Sequence, residues 1–273
     1  FGSIIVHIEA ENIADIPVPR LGSREEREIH DLVEEASRLR SESSKTKNEV
    51  ISRISRMTRI GNSSSANTLC SVVSSARLGR RMDAFHFSAS VNDARELLGN
   101  NKFSRKLGDL VDDIFEPGRS SRIKVDSLDY GIPFLSSSEV FKLDPKGEYL
   151  ISKNKTRNLG GLLLFDRDLL IPRSGQVGGI IGRAVLPMTT NYGDAASEHL
   201  VRIRCKNKDD AFYLWAVLIM DAGYKAIIGT AYGSSIPSLD CDMLKEIKVP
   251  WLDDENRQII TVLVEKYVSA LGK

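Results

Sequence analysis

The side chains able to carry out chemistry are few and scattered. The four histidines, His7, His30, His86 and His199, stand singly, and no HxxxH or HExxH spacing sets two imidazoles on one helix face for a metal. Cys70, Cys205 and Cys241 are odd in number, far apart and away from any histidine pair. That argues against a zinc site or a disulfide framework and for reduced thiols in a cytoplasmic setting. The acidic pairs Asp112/Asp113 and Asp253/Asp254 have no base or metal partner close in sequence, and read as solvated faces or helix N-terminal charges. The glycine-rich run Gly175–Gly182 lacks the Lys and Ser/Thr of a phosphate-binding loop and does not read as a dinucleotide fingerprint that opens a helix. Turns between strands explain these glycines better. Arg173-Ser174-Gly175 is not a Gly-x-Ser-x-Gly elbow, and the Asp/Asn-Pro-Pro-aromatic motif of base amino methylation is missing. No catalytic set, metal site or cofactor site assembles, so the expected chemistry is binding.

The bulk properties agree with a folded binding protein. The chain has 273 residues, 41% hydrophobic and 27% charged, which suits one or two domains with a sizeable core. Net charge is +1, excluding a uniformly polybasic binder while leaving room for a local basic face. The longest apolar run, Ala211–Met220, is too short to cross a membrane. No signal peptide is evident and Phe1 is not preceded by an initiator methionine, which leads to the expectation of a fragment or a trimmed chain.

The elements that position any binding residue are organised around a repeat. Residues 1–40 return at 232–271 without a gap, at a constant offset of 231, with 11 of 40 pairs identical. Among them are Gly2/Gly233, Val18/Val249, Pro19/Pro250, Ile29/Ile260, Leu32/Leu263 and Val33/Val264. Each copy runs from aromatic-Gly-Ser through a short apolar stretch and Val-Pro into a helical pattern. A repeat this far apart marks large units. Ile4–Ile8 reads as a strand or buried turn. Ser23 and Glu26 form a capping box, after which a helix runs to about Ile60. Its heptad a positions are Ile29, Ala36, Ser43, Val50 and Met57, and its d positions Leu32, Leu39, Thr46, Arg53 and Ile60. A rod of about 38 residues, roughly 57 Å, needs a partner helix along its stripe. Ile260, Leu263, Tyr267 and Ala270 hold the equivalent positions in the second copy.

Between the copies, Gly61–Ser75 reads as a linker and a compact domain starts near Arg80. Asp93–Leu98 is expected as a short helix, and Leu107–Ile114 as a short helix or strand. Short apolar segments at Ile132–Leu135, Leu162–Phe165, Leu169–Ile171, Gly179–Val185 and Leu200–Ile203 are expected as strands, and Asp209–Gly223 as one buried helix. The fold class is α+β: a mixed β-sheet domain with long helices forming an antiparallel coiled-coil spacer. The expected divisions are 1–22 (edge of a first domain), 23–60 (spacer helix), 61–77 (linker), 78–252 (complete domain) and 253–273 (C-terminal helix).

Four stretches, in this order, carry a resemblance: Gly79–Phe87 (GRRMDAFHF), Gly131–Leu135 (GIPFL), Ile171–Gly178 (IPRSGQVG) and Tyr232–Leu239 (YGSSIPSL). The last is followed by Ile247-Lys248-Val249-Pro250 and a helix carrying Gln258-Ile259. Together they resemble the specificity (S) subunit of type I DNA restriction–modification enzymes over nearly the whole chain. The resemblance implies a non-catalytic subunit of tandem halves. Each half holds a target-recognition domain that reads one half of a split sequence in double-stranded DNA, and antiparallel helices set the gap. Implied partners are methyltransferase subunits and, in the restriction complex, a nuclease–translocase subunit. The departure is the first domain, of which only Phe1–Leu21 is expected here, and self-association of two half-subunits follows as an expectation.

Sequence is read at base edges and phosphate contacts set register, so polar and basic loops are the expected DNA contacts. These are Lys153, Asn154, Lys155, Thr156 and Arg157; Arg119 and Arg122; Thr189, Thr190, Asn191 and Tyr192; and, on the family motifs, Arg173, Ser174, Tyr232 and Ser234. Two readings of other classes stay open at this point: a coiled-coil adaptor that binds only protein, and an enzyme using Gly175–Gly182 for a nucleotide.

Overall fold

The computed structural model describes residues 9–61, 72–79, 81–119 and 121–272. The strand expected at Ile4–Ile8 and most of the expected linker lie outside these residues. The chain divides into two compact units, Phe1–Ser41 and Glu42–Lys273.

The first unit holds α1 (Ala10–Ala14) and the N-terminal part of α2 (Ser23–Thr58). The Glu26 carboxylate accepts the Leu21 N–H at 3.1 Å and pairs with Arg20 at 2.6 Å, so it reaches back past Ser23, the residue expected as its capping-box partner.

The second unit opens with the rest of α2 and continues with α3 (Ala89–Gly99), β1 (Ser104–Lys106), α4 (Leu107–Leu110) and β2 (Val111–Phe115). Next come β3 (Lys124–Val125), β4 (Gly131–Leu135), β5 (Tyr149–Ser152), α5 (Leu159–Leu162), β6 (Asp168–Pro172), β7 (Ala195–Ala196) and β8 (Leu200–Cys205). It closes with α6 (Lys208–Leu218), α7 (Asp221–Ile228), α8 (Cys241–Lys245), β9 (Lys248–Pro250) and α9 (Asp254–Leu271). Three sheets form, with strand orders β1-β9, β2-β8-β6 and β3-β5-β4-β7. All pairings are antiparallel except β4–β7, so the last sheet is mixed and the class is α+β.

One core spans α3, the β2-β8-β6 sheet, α6, α7 and α9. Every residue from Ala211 to Leu218 is buried, so α6 is apolar on all sides. The single helix expected over Asp209–Gly223 is two helices meeting at 88°. Continuous burial gives no periodic cue to such a bend. The corner packs so tightly that a Cβ on Gly223 would lie 2.3 Å from the Val217 carbonyl oxygen and 2.7 Å from the Leu218 Cα. Gly223→Ala is therefore expected to cost about 3 kcal/mol, the upper end of overpacking effects. An unchanged urea midpoint would contradict this packing.

Two other expected strands differ. Gly179–Val185 is a series of turns, because Gly178 and Gly182 hold φ of +91° and +74° and interrupt extended backbone; only Val185 pairs, with Leu170. Leu162 ends α5, and Leu163 makes a single bridge to Ala195.

The two copies of the repeat fold in register. α1 and α8 occupy equivalent positions at the offset of 231, and so do the first residues of α2 and α9, Ser23 and Asp254. Their surroundings differ. In the second copy Leu244, Ile247, Val249, Leu252, Ile260 and Val264 are buried, while their counterparts Ile13, Ile16, Val18, Leu21, Ile29 and Val33 are exposed.

The buried residues of α2 are Ser43, Thr46, Val50, Ile54 and Thr58. Their steps of three, four, four and four leave the expected heptad after Val50, so Ile54 replaces Arg53 in the stripe. The buried hydroxyls bond within the helix, Thr46 to the Glu42 carbonyl at 3.0 Å and Thr58 to Ile54 at 2.7 Å. Of the other expected positions, Ile29, Leu32 and Ala36 are exposed, Leu39 and Met57 partly buried, and Ile60 buried. In α9, Ile260, Val264 and Val268 are buried, with Leu263, Tyr267 and Ala270 partly so. α9 lies along α6, where Trp215 stacks on Tyr267 at 5.0 Å. Lys47 shares a cavity wall with Tyr267 and Leu271. At the other end, Asn101 donates to the Thr58 carbonyl at 2.9 Å and Trp251 N–H to that of Phe103 at 3.1 Å. The second half of α2 and α9 thus run antiparallel.

Arg81 and His86 fasten their segment onto the end of α7. Arg81 donates to the carbonyls of Thr230 at 3.1 Å and Ala231 at 2.6 Å, and His86 Nδ1 lies 2.7 Å from that of Gly229. Burial, opposed by the Gly229 bond and reinforced by Arg95 and Arg81, holds the His86 pKa below the usual imidazole value. The unfolded chain then binds the extra proton first. The contribution of His86 is present above about pH 6.5 and is lost as pH falls toward the folded pKa. His86→Gln is expected to flatten the fall in stability between about pH 6.5 and 5, read from urea midpoints; an unchanged slope would show that His86 does not carry it.

Candidate nucleic-acid interface

The β3-β5-β4-β7 sheet presents one end at which Gly131 pairs with Ser152. Two connections reach it: the crossover that leaves β3 at Val125, opposite Leu150, and returns past β5 to enter β4 at Gly131, and residues 153–158 from β5 to α5. The Lys153 N–H donates to the Tyr130 carbonyl at 2.9 Å, and its Nζ donates to the Leu128 carbonyl at 2.8 Å, clamping one connection to the other. Lys153, Asn154, Lys155 and Arg157 are exposed while Thr156 is buried beneath them. Among the described residues none of Lys124, Lys153, Lys155, Arg157 and Arg119 is paired with a carboxylate. This matters because other basic residues of the domain are neutralised locally, including Arg167 by Asp112, Arg204 by Asp168 and Lys245 by Asp113.

The opposite end of the same ladder, where Phe134 pairs with Tyr149, is held by ring contacts. Phe134 and Tyr149 stack at 5.3 Å, with Arg122 over Phe134 at 4.5 Å and Lys124 over Tyr149 at 4.2 Å. Arg122 also pairs with Glu198 at 2.5 Å and donates to the Tyr149 hydroxyl at 3.3 Å. Its charge is satisfied inside the protein, whereas Arg119 is exposed.

The remaining expected contacts lie elsewhere. Arg173, Ser174, Tyr232 and Ser234 are brought together, because Ser238 bridges to both Ser174 and Tyr232 and Leu239 N–H donates to the Arg173 carbonyl at 2.8 Å. The Arg173 guanidinium is held by Glu116 at 2.5 Å, while Tyr232 and Ser234 are exposed. Thr189 and Thr190 are exposed. Asn191 is buried and donates to the Pro145 carbonyl and to Asp194, both at 3.0 Å. Tyr192 is partly buried, and burial with nearby Asp166 raises its pKa.

Lys124, Leu128 and Tyr130 were missed from sequence. The turn Asp126-Ser127-Leu128-Asp129-Tyr130 carries two acids, so it does not read as a basic loop. Two large apolar residues inside a polar turn were the available signal.

Among the described residues the thiols are unsuited to nucleophilic attack: burial raises both, Cys241 to about 12 and Cys205 further. Among the described residues no three His, Cys, Asp or Glu side chains converge as a metal would require, and no single helix is long and apolar enough to cross a membrane. The site offers cations and hydrogen-bond donors on a rigid support, which is chemistry for binding a polyanion.

No protein-family model matches the sequence, and no curated protein matches it significantly. Among solved structures, 90% of the chain aligns with 50% of the HsdS subunit from Thermoanaerobacter tengcongensis, at 15% identity and a TM-score of 0.46. A chain from a structure on complex assembly and conformational transition of the type I R-M system aligns over 91% of this chain and 52% of its own length, at 14% identity and TM-score 0.45. The type I restriction-modification system S subunit from M. genitalium aligns over 58% of this chain and 37% of its own, at 13% identity and TM-score 0.34. The type IIG restriction endonuclease BpuSI aligns over 67% of this chain and 28% of its own, at 12% identity and TM-score 0.43, and the chain spans about half the length of the first two.

Proposed function

We propose that this chain is a non-catalytic, sequence-specific DNA-recognition subunit of a type I restriction–modification system. In this reading the domain within Glu42–Lys273 reads half of a split target in double-stranded DNA. The observation that carries it is the sheet end where Lys153, Lys155 and Arg157 are exposed without carboxylate partners beside a turn that Lys153 clamps. The four family-like stretches, in their order, support the assignment to this class.

The rods and the first copy of the repeat serve assembly. Ile13, Ile16, Val18, Leu21, Ile29 and Val33 are exposed where their counterparts are buried, so this row is built to be covered by another folded unit. Methyltransferase subunits and, in a restriction complex, a nuclease–translocase subunit dock on the same assembly.

Binding of the full chain to labelled duplex DNA, followed by fluorescence anisotropy across a salt series, tests the reading. For three to four phosphate contacts, log K is expected to fall with log salt at a slope of about −3. No duplex binding at low salt, or binding indifferent to salt, would overturn it.

A further inference from the structure

The turn between β3 and β4 exposes Leu128 by 64% and Tyr130 by 66%. Single exposed apolar residues are ordinary, but these stand two positions apart on a five-residue turn, the least favourable place to give up burial. The turn is held firmly. Tyr130 N–H donates to the Ser127 carbonyl at 3.2 Å, Asp129 N–H to the Ser127 hydroxyl at 3.2 Å, and Lys153 clamps the Leu128 and Tyr130 carbonyls from the neighbouring connection. Behind it, a Cβ on Gly131 would lie 2.7 Å from Leu150 and Val125, so the base of the turn has no slack.

The chemistry is arranged in zones. Lys124, Lys153, Lys155 and Arg157 flank the turn, while the turn itself carries apolar side chains and the carboxylates of Asp126 and Asp129. Phosphates attract the flanking cations and repel the carboxylates. Base edges suit what the turn offers: the thymine methyl accepts apolar contact, and the amino groups of cytosine and adenine donate to carboxylates.

We propose that the β3–β4 turn is the base-reading element of this domain, with Leu128 and Tyr130 inserted into a groove of duplex DNA and the flanking lysines and Arg157 on the phosphates. The proposal rests on the DNA-recognition reading and assigns to the turn a specificity that the basic loop alone lacks.

The test is selection of binding sites from a random duplex pool by the full chain, by the double variant L128S/Y130S and by Tyr130→Phe. The wild-type chain is expected to enrich a motif. The double variant is expected to lose at least tenfold of the preference for that motif while keeping its affinity for mixed-sequence DNA and its melting temperature. Tyr130→Phe is expected to keep the motif, since the ring remains. Enrichment of the same motif to the same extent by the double variant overturns the assignment of the turn and leaves the DNA-recognition reading standing. An equal loss on all sequences also overturns it, making the turn a general anchor. If the wild-type chain binds no duplex DNA, the reading and the proposal fall together; capture of a protein partner by the wild-type turn, lost in the double variant, would then identify it as a protein-docking element.

Discussion

Replacing Lys155 and Arg157 together by alanine is expected to lower duplex affinity by about tenfold or more at moderate salt, and to reduce the magnitude of the salt slope by about two. Both side chains are exposed and unpaired with carboxylates, so nothing in the protein competes for their charge. Their attraction to a phosphate is therefore available in full, and the release of condensed counterions makes the loss salt-dependent. The loss should be uniform across sequences, because phosphates carry no base identity. Stability should not change, since neither residue takes part in the clamp made by Lys153. Arg122→Ala gives the contrast. That side chain is engaged by Glu198, Tyr149 and Phe134, so its loss should appear first as a lower melting temperature. An unchanged salt slope in the double variant would place the phosphate contacts elsewhere.

Arg202→Ala is expected to cost about 3–5 kcal/mol in urea unfolding, the largest effect of any single substitution considered. Arg202 lies on β8 with no solvent exposure. Its guanidinium donates to the carbonyls of Leu200 at 2.7 Å, Ala196 at 2.8 Å, and Ser197 and Leu162 at 3.3 Å. These acceptors lie on β8, on and just after β7 in the other sheet, and on α5, so one side chain fastens the β2-β8-β6 sheet to the β3-β5-β4-β7 sheet. Burial lowers its pKa to about 10, which leaves it charged near neutral pH. A buried charge is weak support by itself, because an apolar pair of the same shape often does as well. Here the acceptors are main-chain carbonyls that no substitution removes, so losing the donor strands them. Arg202→Met restores much of the volume but none of the bonds and should remain destabilised by at least about 2 kcal/mol. A loss below about 1 kcal/mol in both variants would show that these carbonyls find other partners.

Much of this architecture was legible in the residues, for reasons that also explain the failures. The offset of 231 reappears in the helix starts, Ser23 for α2 and Asp254 for α9, because equivalent residues make equivalent helix beginnings whatever surrounds them. β4, β6 and β8 were legible because each is a short apolar run bounded by turn formers. The break between α6 and α7 was not, since residues buried on every side carry no period. The stripe of α2 was misread after Val50, where the buried steps lengthen and Thr58 hides its hydroxyl by bonding to its own helix. For the candidate site, charge runs located the Lys153–Arg157 loop but could not separate a free cation from a satisfied one. Arg122 and Arg173 read like Lys155 in sequence, yet Glu198 and Glu116 neutralise them from segments far along the chain.

The most direct measurement is methylation mapping of DNA from cells that co-express the full chain with a type I methyltransferase subunit able to bind it. The expected result is modification at a defined split motif that appears only when this chain is present and is lost with the Lys155/Arg157 double variant. Methylation that is identical with and without the chain would contradict its role in choosing the target.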